Sequence, residues 1–164
     1  MLKWRSATRV LCDRNMPLSL KGKFYRTTVR LSLLYGTECW ANKKQHTQKI
    51  SVTEMRMLRW MCGKIRMDKV RNEDIRSLVG VASIEDKMRE NRLRWFGHIG
   101  RRPTDAPIRR VEKIDIVQGK KLRGTPKMTW MEVVKNDMKL LELEERMVAD
   151  RNVWRRRIHV LDQI

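Results

Sequence analysis

Clusters of arginine and lysine are the residues of this sequence with the clearest chemistry. The chain of 164 residues holds 38 Lys and Arg against 19 Asp and Glu, which gives a formal net charge of +19. Guanidinium and ammonium groups bind phosphate through charge and hydrogen bonds, so these clusters predict phosphate binding. The candidate ligands form an N-terminal cluster of Lys23, Arg26 and Arg30, a central cluster of Arg89, Arg92, Arg94, Arg101 and Arg102, and a linker cluster of Lys120, Lys121 and Arg123.

A positive charge of this size favours a polyanionic partner. Like charges in a folded chain repel one another, and nucleic acid relieves that repulsion because each neutralised phosphate releases condensed counterions. The sequence does not distinguish RNA from DNA. A membrane partner is disfavoured, since the chain has no run of 18 apolar residues, no secretory apolar region and no prenylation motif. Basicity without a specific ligand is the remaining alternative.

The acidic residues give no pattern for catalysis. Two-metal phosphoryl transfer needs clustered carboxylates, yet no Asp-Asp pair occurs in the chain. The acidic pairs at 73–74 and 85–86 fall at predicted helix N-termini, where the helix dipole accounts for them. No phosphate-binding glycine loop and no serine-nucleophile motif is present either. We therefore expect no enzyme activity, no catalytic residue and no cofactor.

The cysteines and histidines are too scattered for a zinc site. Cys12, Cys39 and Cys62 are an odd number with wide spacing, which is also not a disulfide framework. No Cys-x-x-Cys or His-x-x-x-His pair occurs, so the chain lacks the usual ligand spacing for a structural metal. We expect no bound metal and a reducing intracellular compartment.

Hydrophobic spacing predicts an all-α fold of six or seven helices. Residues 108–117 are ambiguous and compatible with a small β element. The expected domains are a basic helical region at 1–103, a turn-rich basic linker at 104–127 and a helical pair at 128–164. The predicted helices cover about 2–12, 19–34, 43–62, 72–80 and 83–99, followed by one that starts at Thr125-Pro126 and one from about Glu145.

The helix predicted at 19–34 carries the N-terminal cluster on its flank. Leu20, Phe24, Leu31 and Tyr35 recur at helical spacing and predict its buried face. The default role expected for the six tryptophans is to anchor the core, about one per helix. Stacking of an exposed tryptophan on a nucleic-acid base is the alternative role.

Several sequence blocks occur in series and resemble one protein family. They read KFYR and LLYGTECW within residues 23–40, MRMLRWMCG at 55–63, RNEDIR at 71–76 and NRLRWFGH at 91–98. In order and spacing these blocks resemble the region after the polymerase palm of non-LTR (LINE-type) retrotransposon reverse transcriptases. The resemblance implies thumb and post-thumb helices that grip a template–primer duplex and element RNA. It carries no polymerase activity, because the catalytic carboxylates are absent from this sequence.

The favoured function is therefore that of a nucleic-acid-binding fragment of a degenerate retrotransposon reverse transcriptase. The family and the basic clusters together imply a nuclear location. An alternative is a helical protein-interaction module, motivated by the 11 methionines and the apolar helix faces. Such a module would self-associate through exposed apolar faces. A retroelement relic without function or nucleic-acid ligand is the other alternative.

Overall fold

The computed structural model describes residues 9–109 and 128–162. Within these ranges the chain forms helices and turns and no strand, which confirms the all-α prediction. A π-helical turn at Tyr25–Val29 joins the first two helices, and short 3₁₀ turns occur at Thr37–Cys39, Arg66–Asp68 and Glu145–Val148. The α-helices are α1 (Leu18–Phe24), α2 (Arg30–Leu34), α3 (Lys44–Met61), α4 (Asn72–Val79), α5 (Ile84–Gly100), α6 (Trp130–Leu140) and α7 (Arg151–Ile158).

Some predicted features lie partly or wholly outside the described residues. Residues 9–12 of the first predicted helix are helical, and its earlier part lies outside the described ranges. The β element considered at residues 108–117 also lies largely outside the described ranges. Only residues 108 and 109 of it are described, and they are helical. The linker cluster and the predicted helix start at Thr125 also lie outside. Helix α6 begins later than predicted, at Trp130, where Thr129 and Glu132 form a reciprocal capping box.

The described residues divide into two compact units. Unit 1 takes residues 9–36, 43–88 and 160–162, and unit 2 takes 37–42, 89–109 and 128–159. The core of unit 1 combines residues from the π-helical turn, α3 and α4. Its most completely buried members are Tyr25, Leu58 and Ile75. Each unit thus buries its own set of apolar side chains.

The buried face predicted for the first helical stretch of unit 1, by which we mean α1, the π-helical turn and α2, was wrong except at Phe24, which packs against the core. Leu31 is 62% exposed and Tyr35 is 90% exposed, whereas Tyr25 and Val29 are buried. A glycine selects this other face: a Cβ added at Gly22 would lie 2.1 Å from the carbonyl oxygen of Val79, so α1 can approach α4 only on that side. The π-helical turn then adds a residue to the turn and shifts the register of everything after it.

Unit 2 is built around a buried tryptophan. Trp154 of α7 is 1% exposed, and its indole nitrogen donates a hydrogen bond of 3.0 Å to the carbonyl oxygen of Leu93 in α5. Phe96 packs beside it with the rings 6.1 Å apart. The core-anchor prediction holds for Trp154 but was wrong for Trp40 and Trp60, which are 70% and 56% exposed.

Candidate nucleic-acid interface

The N-terminal cluster is not gathered on one solvent-facing stripe. Lys23 is exposed, while Arg26 donates a hydrogen bond of 2.5 Å to the carbonyl oxygen of Gly80. Arg30 is buried and forms two hydrogen bonds, of 2.6 and 2.7 Å, with the carboxylate of Asp162. Arg26 and Arg30 therefore hold unit 1 together.

Asp162 is the acceptor that fixes Arg30. Burial alone would raise the pKa of this carboxyl group, but hydrogen bonds from Arg30 and from the backbone N–H of Ala82 hold the pKa below its ordinary value. The carboxylate is thus charged near neutral pH and neutralises Arg30. A phosphate that competed for Arg30 would have to break this buried pair, which costs far more than a surface contact returns.

The central cluster splits into a structural part and a solvent-facing part. Arg89 and Arg92 both contact Asp137 of α6, with Nε–O distances of 3.7 and 2.6 Å. The Arg92 side chain is only 8% exposed. Arg94, Arg101 and Arg102 instead line an open groove in unit 2.

This groove has a volume of about 920 Å³ and is formed mainly by α5 and α7. Side chains spaced three or four residues apart share one face of a helix, so each helix contributes a row to its wall. Helix α7 supplies Arg151 and Arg155 on either side of the buried Trp154. The lining residues are Glu38, Asn91, Arg94, Trp95, His98, Arg101, Arg102, Arg151, Trp154, Arg155 and Ile158.

The groove is strongly electropositive. Five arginines line it against a single carboxylate, that of Glu38. Arg94 pairs with the buried Glu90, and Arg101 donates a hydrogen bond of 3.0 Å to the carbonyl oxygen of Val148. The remaining arginines of the groove have no carboxylate within ion-pair distance in the described ranges. These are Arg101, Arg102, Arg151 and Arg155.

Like charges in this groove act on one another. Burial, and after it the positive charge of Arg151, lower the pKa of Arg101 below its ordinary value. Arginine stays protonated at any physiological pH, so Arg101 keeps its charge, and the contribution of Arg151 to the shift reflects repulsion between the two guanidinium groups. An anion placed between Arg101 and Arg151 would remove that repulsion.

An aromatic pair lies among these charges. The rings of Trp95 and His98 are stacked, with centroids 5.6 Å apart and an angle of 26° between the planes. Trp95 is half-buried and His98 is exposed. The Nε2 atom of His98 also lies 3.3 Å from the guanidinium of Arg102, which joins the aromatic pair to the basic wall. Asn91, with both a donor and an acceptor, lines the same groove.

Local structure in α7 places the two of its arginines that line the groove. Asp150 caps the helix by accepting hydrogen bonds from the backbone N–H groups of Val153 and Asn152, and these bonds lower the pKa of its carboxyl group. Arg151 is the first residue after the cap, and Arg155 follows one turn later. The hydrogen bond from Trp154 to α5 fixes the rotation of the helix, so both arginines lie at the groove.

Sequence reasoning missed Arg151, Arg155 and Glu38 as members of this site. The spacing of Arg151 and Arg155 on either side of Trp154 was a usable signal, because residues i and i+4 share a helix face. Residues 155–157 are all arginines, yet only Arg155 of the three lines the groove. Glu38 lies on a turn distant in sequence and gave no such signal.

The described residues form neither a metal-binding cluster nor a membrane-spanning helix. There, no group of at least three His, Cys, Asp or Glu side chains lies close enough together to hold a metal ion. None of the helices there combines the length and the apolar character needed to cross a bilayer. Neither family models, nor curated proteins, nor solved structures give a match to this chain.

Proposed function

We propose that this chain binds nucleic acid through the groove of unit 2. The observation that supports the proposal best is the concentration of five arginines in one groove against a single carboxylate. Arginine binds phosphate through both charge and a fork of N–H donors, and a row of arginines suits a chain of phosphates. Because repulsion among them is already present in the free protein, phosphate binding also relieves an electrostatic cost.

The proposed interface differs from the set of residues that the sequence predicts. It keeps Arg94, Arg101 and Arg102 and adds Arg151 and Arg155. Arg30 and Arg92 are left out because each is buried in a pair with an aspartate, and Arg26 and Arg89 are left out because neither lines the groove. Lys23, exposed on unit 1, remains a separate candidate contact.

The wider proposal is that the chain is a fragment of a degenerate retrotransposon reverse transcriptase. It is supported by the sequence blocks that end in NRLRWFGH at residues 91–98. The last block contributes Asn91, Arg94, Trp95 and His98 to the groove, so part of the resemblance lies within the site. Nuclear residence belongs to this wider proposal. No reaction is proposed for the chain.

Two double variants of α7 test the groove. Arg151→Gln with Arg155→Gln removes two charges from the groove, and Arg156→Gln with Arg157→Gln removes two exposed charges of the same helix that do not line it. Binding of a fluorescently labelled oligonucleotide is measured by anisotropy across a NaCl series. The groove variant is expected to bind more weakly. The negative slope of log K against log[salt] should become shallower by roughly 1.4 to 1.8.

The control variant has the same net charge as the groove variant, so it measures the effect of charge alone. It should keep most of the affinity and most of the slope. Equal losses in the two variants would mean that the charge acts diffusely and that the groove is not the site. Absence of binding at low salt by the wild-type chain would reject nucleic acid as the ligand.

A second candidate function is protein binding, including binding of a second copy of the chain. The observation that favours it is the exposure of Leu20, Leu31 and Tyr35 along the first helical stretch of unit 1. Exposed apolar residues on one helix suit contact with another protein surface. This function would use unit 1, whereas the groove belongs to unit 2, so it does not exclude nucleic-acid binding by the groove.

A further inference from the structure

The groove of unit 2 combines charge with a stacking surface, and this combination narrows the class of ligand. Phosphate binding alone needs only the arginines. The Trp95–His98 pair, stacked with centroids 5.6 Å apart, adds flat π surfaces among them. A base stacks on a protein ring only when it is not already stacked between neighbours in a duplex.

We propose that the groove selects single-stranded nucleic acid, with an unpaired base extending the Trp95–His98 stack and the adjoining phosphates on Arg101, Arg102, Arg151 and Arg155. This inference rests on the proposed function and goes further, because it names the form of nucleic acid and the residues that select it. The guanidinium of Arg102 contacts His98. A nucleotide whose base stacks on His98 can therefore place its phosphate on Arg102.

The shape of the site supports the same ligand. The groove is a concavity of about 920 Å³, which is within the range of sites that enclose small ligands. It suits a short stretch of separate nucleotides, whose bases and phosphates enter together. A duplex presents phosphates on its outside and only base edges in its grooves, so it would leave the aromatic pair without a stacking partner. Asn91 adds one donor and one acceptor within reach of a base edge.

Charge alone predicts the opposite preference, which makes the inference testable. A duplex carries about one charge per 1.7 Å of its axis, a higher density than a single strand has, so a purely electrostatic surface favours the duplex. A preference for the single strand must therefore come from contacts that only unpaired bases make. In this groove those contacts belong to Trp95 and His98.

The experiment compares a labelled single strand with a hairpin duplex of the same length and charge. Binding is measured by anisotropy across a salt series. The proteins are the full chain and its variants Trp95→Leu, Trp95→Phe and His98→Ala. The single strand should bind more tightly than the hairpin. Trp95→Leu should weaken single-strand binding about 5- to 150-fold with an unchanged salt slope, while Trp95→Phe should retain much of the affinity. His98 is exposed, so His98→Ala gives a second test that spares the core, with circular dichroism confirming that each variant is folded.

Each outcome has a separate meaning. Tighter hairpin binding, or single-strand affinity unchanged in both Trp95→Leu and His98→Ala, would overturn the single-strand inference and leave the groove as a general phosphate-binding site. If Trp95→Leu unfolds, His98→Ala decides. Binding of neither ligand by the wild-type chain would overturn this inference together with the proposed function.

Discussion

At the scale of single residues, Glu54 is an acid enclosed in the core of unit 1. It is fully buried, and its carboxylate accepts a hydrogen bond of 2.6 Å from the hydroxyl of Tyr25. The guanidinium of Arg76 is 3.9 Å away, and the backbone N–H of Ile84 donates at 3.4 Å. Burial raises the pKa of Glu54 above its ordinary value in spite of these partners. The same burial, and then the charge of Glu54, raise the pKa of Tyr25.

The raised pKa of Glu54 makes part of the stability depend on pH. The folded state holds the proton more strongly than the unfolded state, so this contribution is present below the unfolded pKa and is lost as the pH rises through the folded pKa. Glu54→Gln removes the titration while leaving an oxygen to accept from Tyr25. The free energy of unfolding of the variant minus that of wild type should therefore increase with pH from about 4 upward, by at most about 1.4 kcal/mol per pH unit.

Urea unfolding of both proteins at a series of pH values measures this difference. All other titrating groups are shared by the two proteins and cancel to first order. A difference that falls with rising pH would mean that Arg76 and Tyr25 outweigh burial and hold the pKa of Glu54 down.

At the scale of elements, the contact between α5 and α7 depends on one glycine. A Cβ added at Gly97 would lie 2.4 Å from Nε1 and 2.7 Å from Cδ1 of the Trp154 indole. The indole is rigid and buried, and its hydrogen bond to Leu93 keeps it in place. An alanine could be accommodated only if the two helices that form the groove moved apart.

Gly97→Ala is therefore expected to destabilise the protein by about 1 to 3 kcal/mol, the usual cost of overpacking. The sign is informative, because the same change inside an unconstrained helix stabilises by roughly 1 kcal/mol. Thermal unfolding of the single variants and of Gly97→Ala with Trp154→Phe completes a double-mutant cycle. The smaller ring should make the double variant more stable than the sum of the single effects. A stabilised or neutral Gly97→Ala would contradict the close contact.

Helix positions followed from the sequence wherever local chemistry decides them. The helix predicted at 43–62 is Lys44–Met61, and the one predicted at 72–80 is Asn72–Val79. Gly63 and Gly80 end them with φ of +64° and +71°, a conformation that glycine adopts at little cost. Arg71 holds the N-cap position of the second of these helices. The local pattern thus gave the bounds of these two helices to within one residue, whereas the last two α-helices begin about five residues later than predicted, at Trp130 and Arg151.

Helix orientation did not follow, because contacts distant in sequence decide it. The face of α1 turned inward is set by Gly22 against Val79, which the spacing of Leu20 and Leu31 does not reveal. The groove arises where Arg101 and Arg151 come together, and only the fold shows which arginines face each other. The sequence shows where arginines cluster, but contacts with Asp137, with Asp162 and with the carbonyl oxygen of Gly80 decide which of them are held within the fold.

At the scale of the whole molecule, the net charge of +19 governs encounters between copies of the chain. Repulsion between copies keeps them apart at low salt, whereas the Debye length falls from about 10 Å at 0.1 M to about 3 Å at 1 M salt. Apolar contact is not weakened in this way. Self-association through the exposed residues of the first helical stretch should therefore increase with salt.

Sedimentation velocity across a NaCl series measures this association. Leu31→Glu places a charge on the exposed apolar residue and should reduce it at every salt concentration. Ser32→Glu makes the same charge change on an exposed polar neighbour and is the matched control. A wild-type chain that stays monomeric at high salt would argue against the second candidate function, and equal effects of the two variants would argue against Leu31 as the contact.

The bonds between Arg30 and Asp162 also bear on the order in which the chain can fold. They join residues 132 positions apart, and the bond between Lys87 and the carbonyl oxygen of Val160 joins residues 73 apart. All residues of unit 2 after Arg89 are therefore translated before unit 1 can complete these bonds. At roughly 5–20 residues per second, several seconds pass in which Arg30 and Lys87 have emerged without these acceptors. In that interval the nascent chain is cationic, and unit 1 lacks its last bonds. It is also next to the RNA of the ribosome.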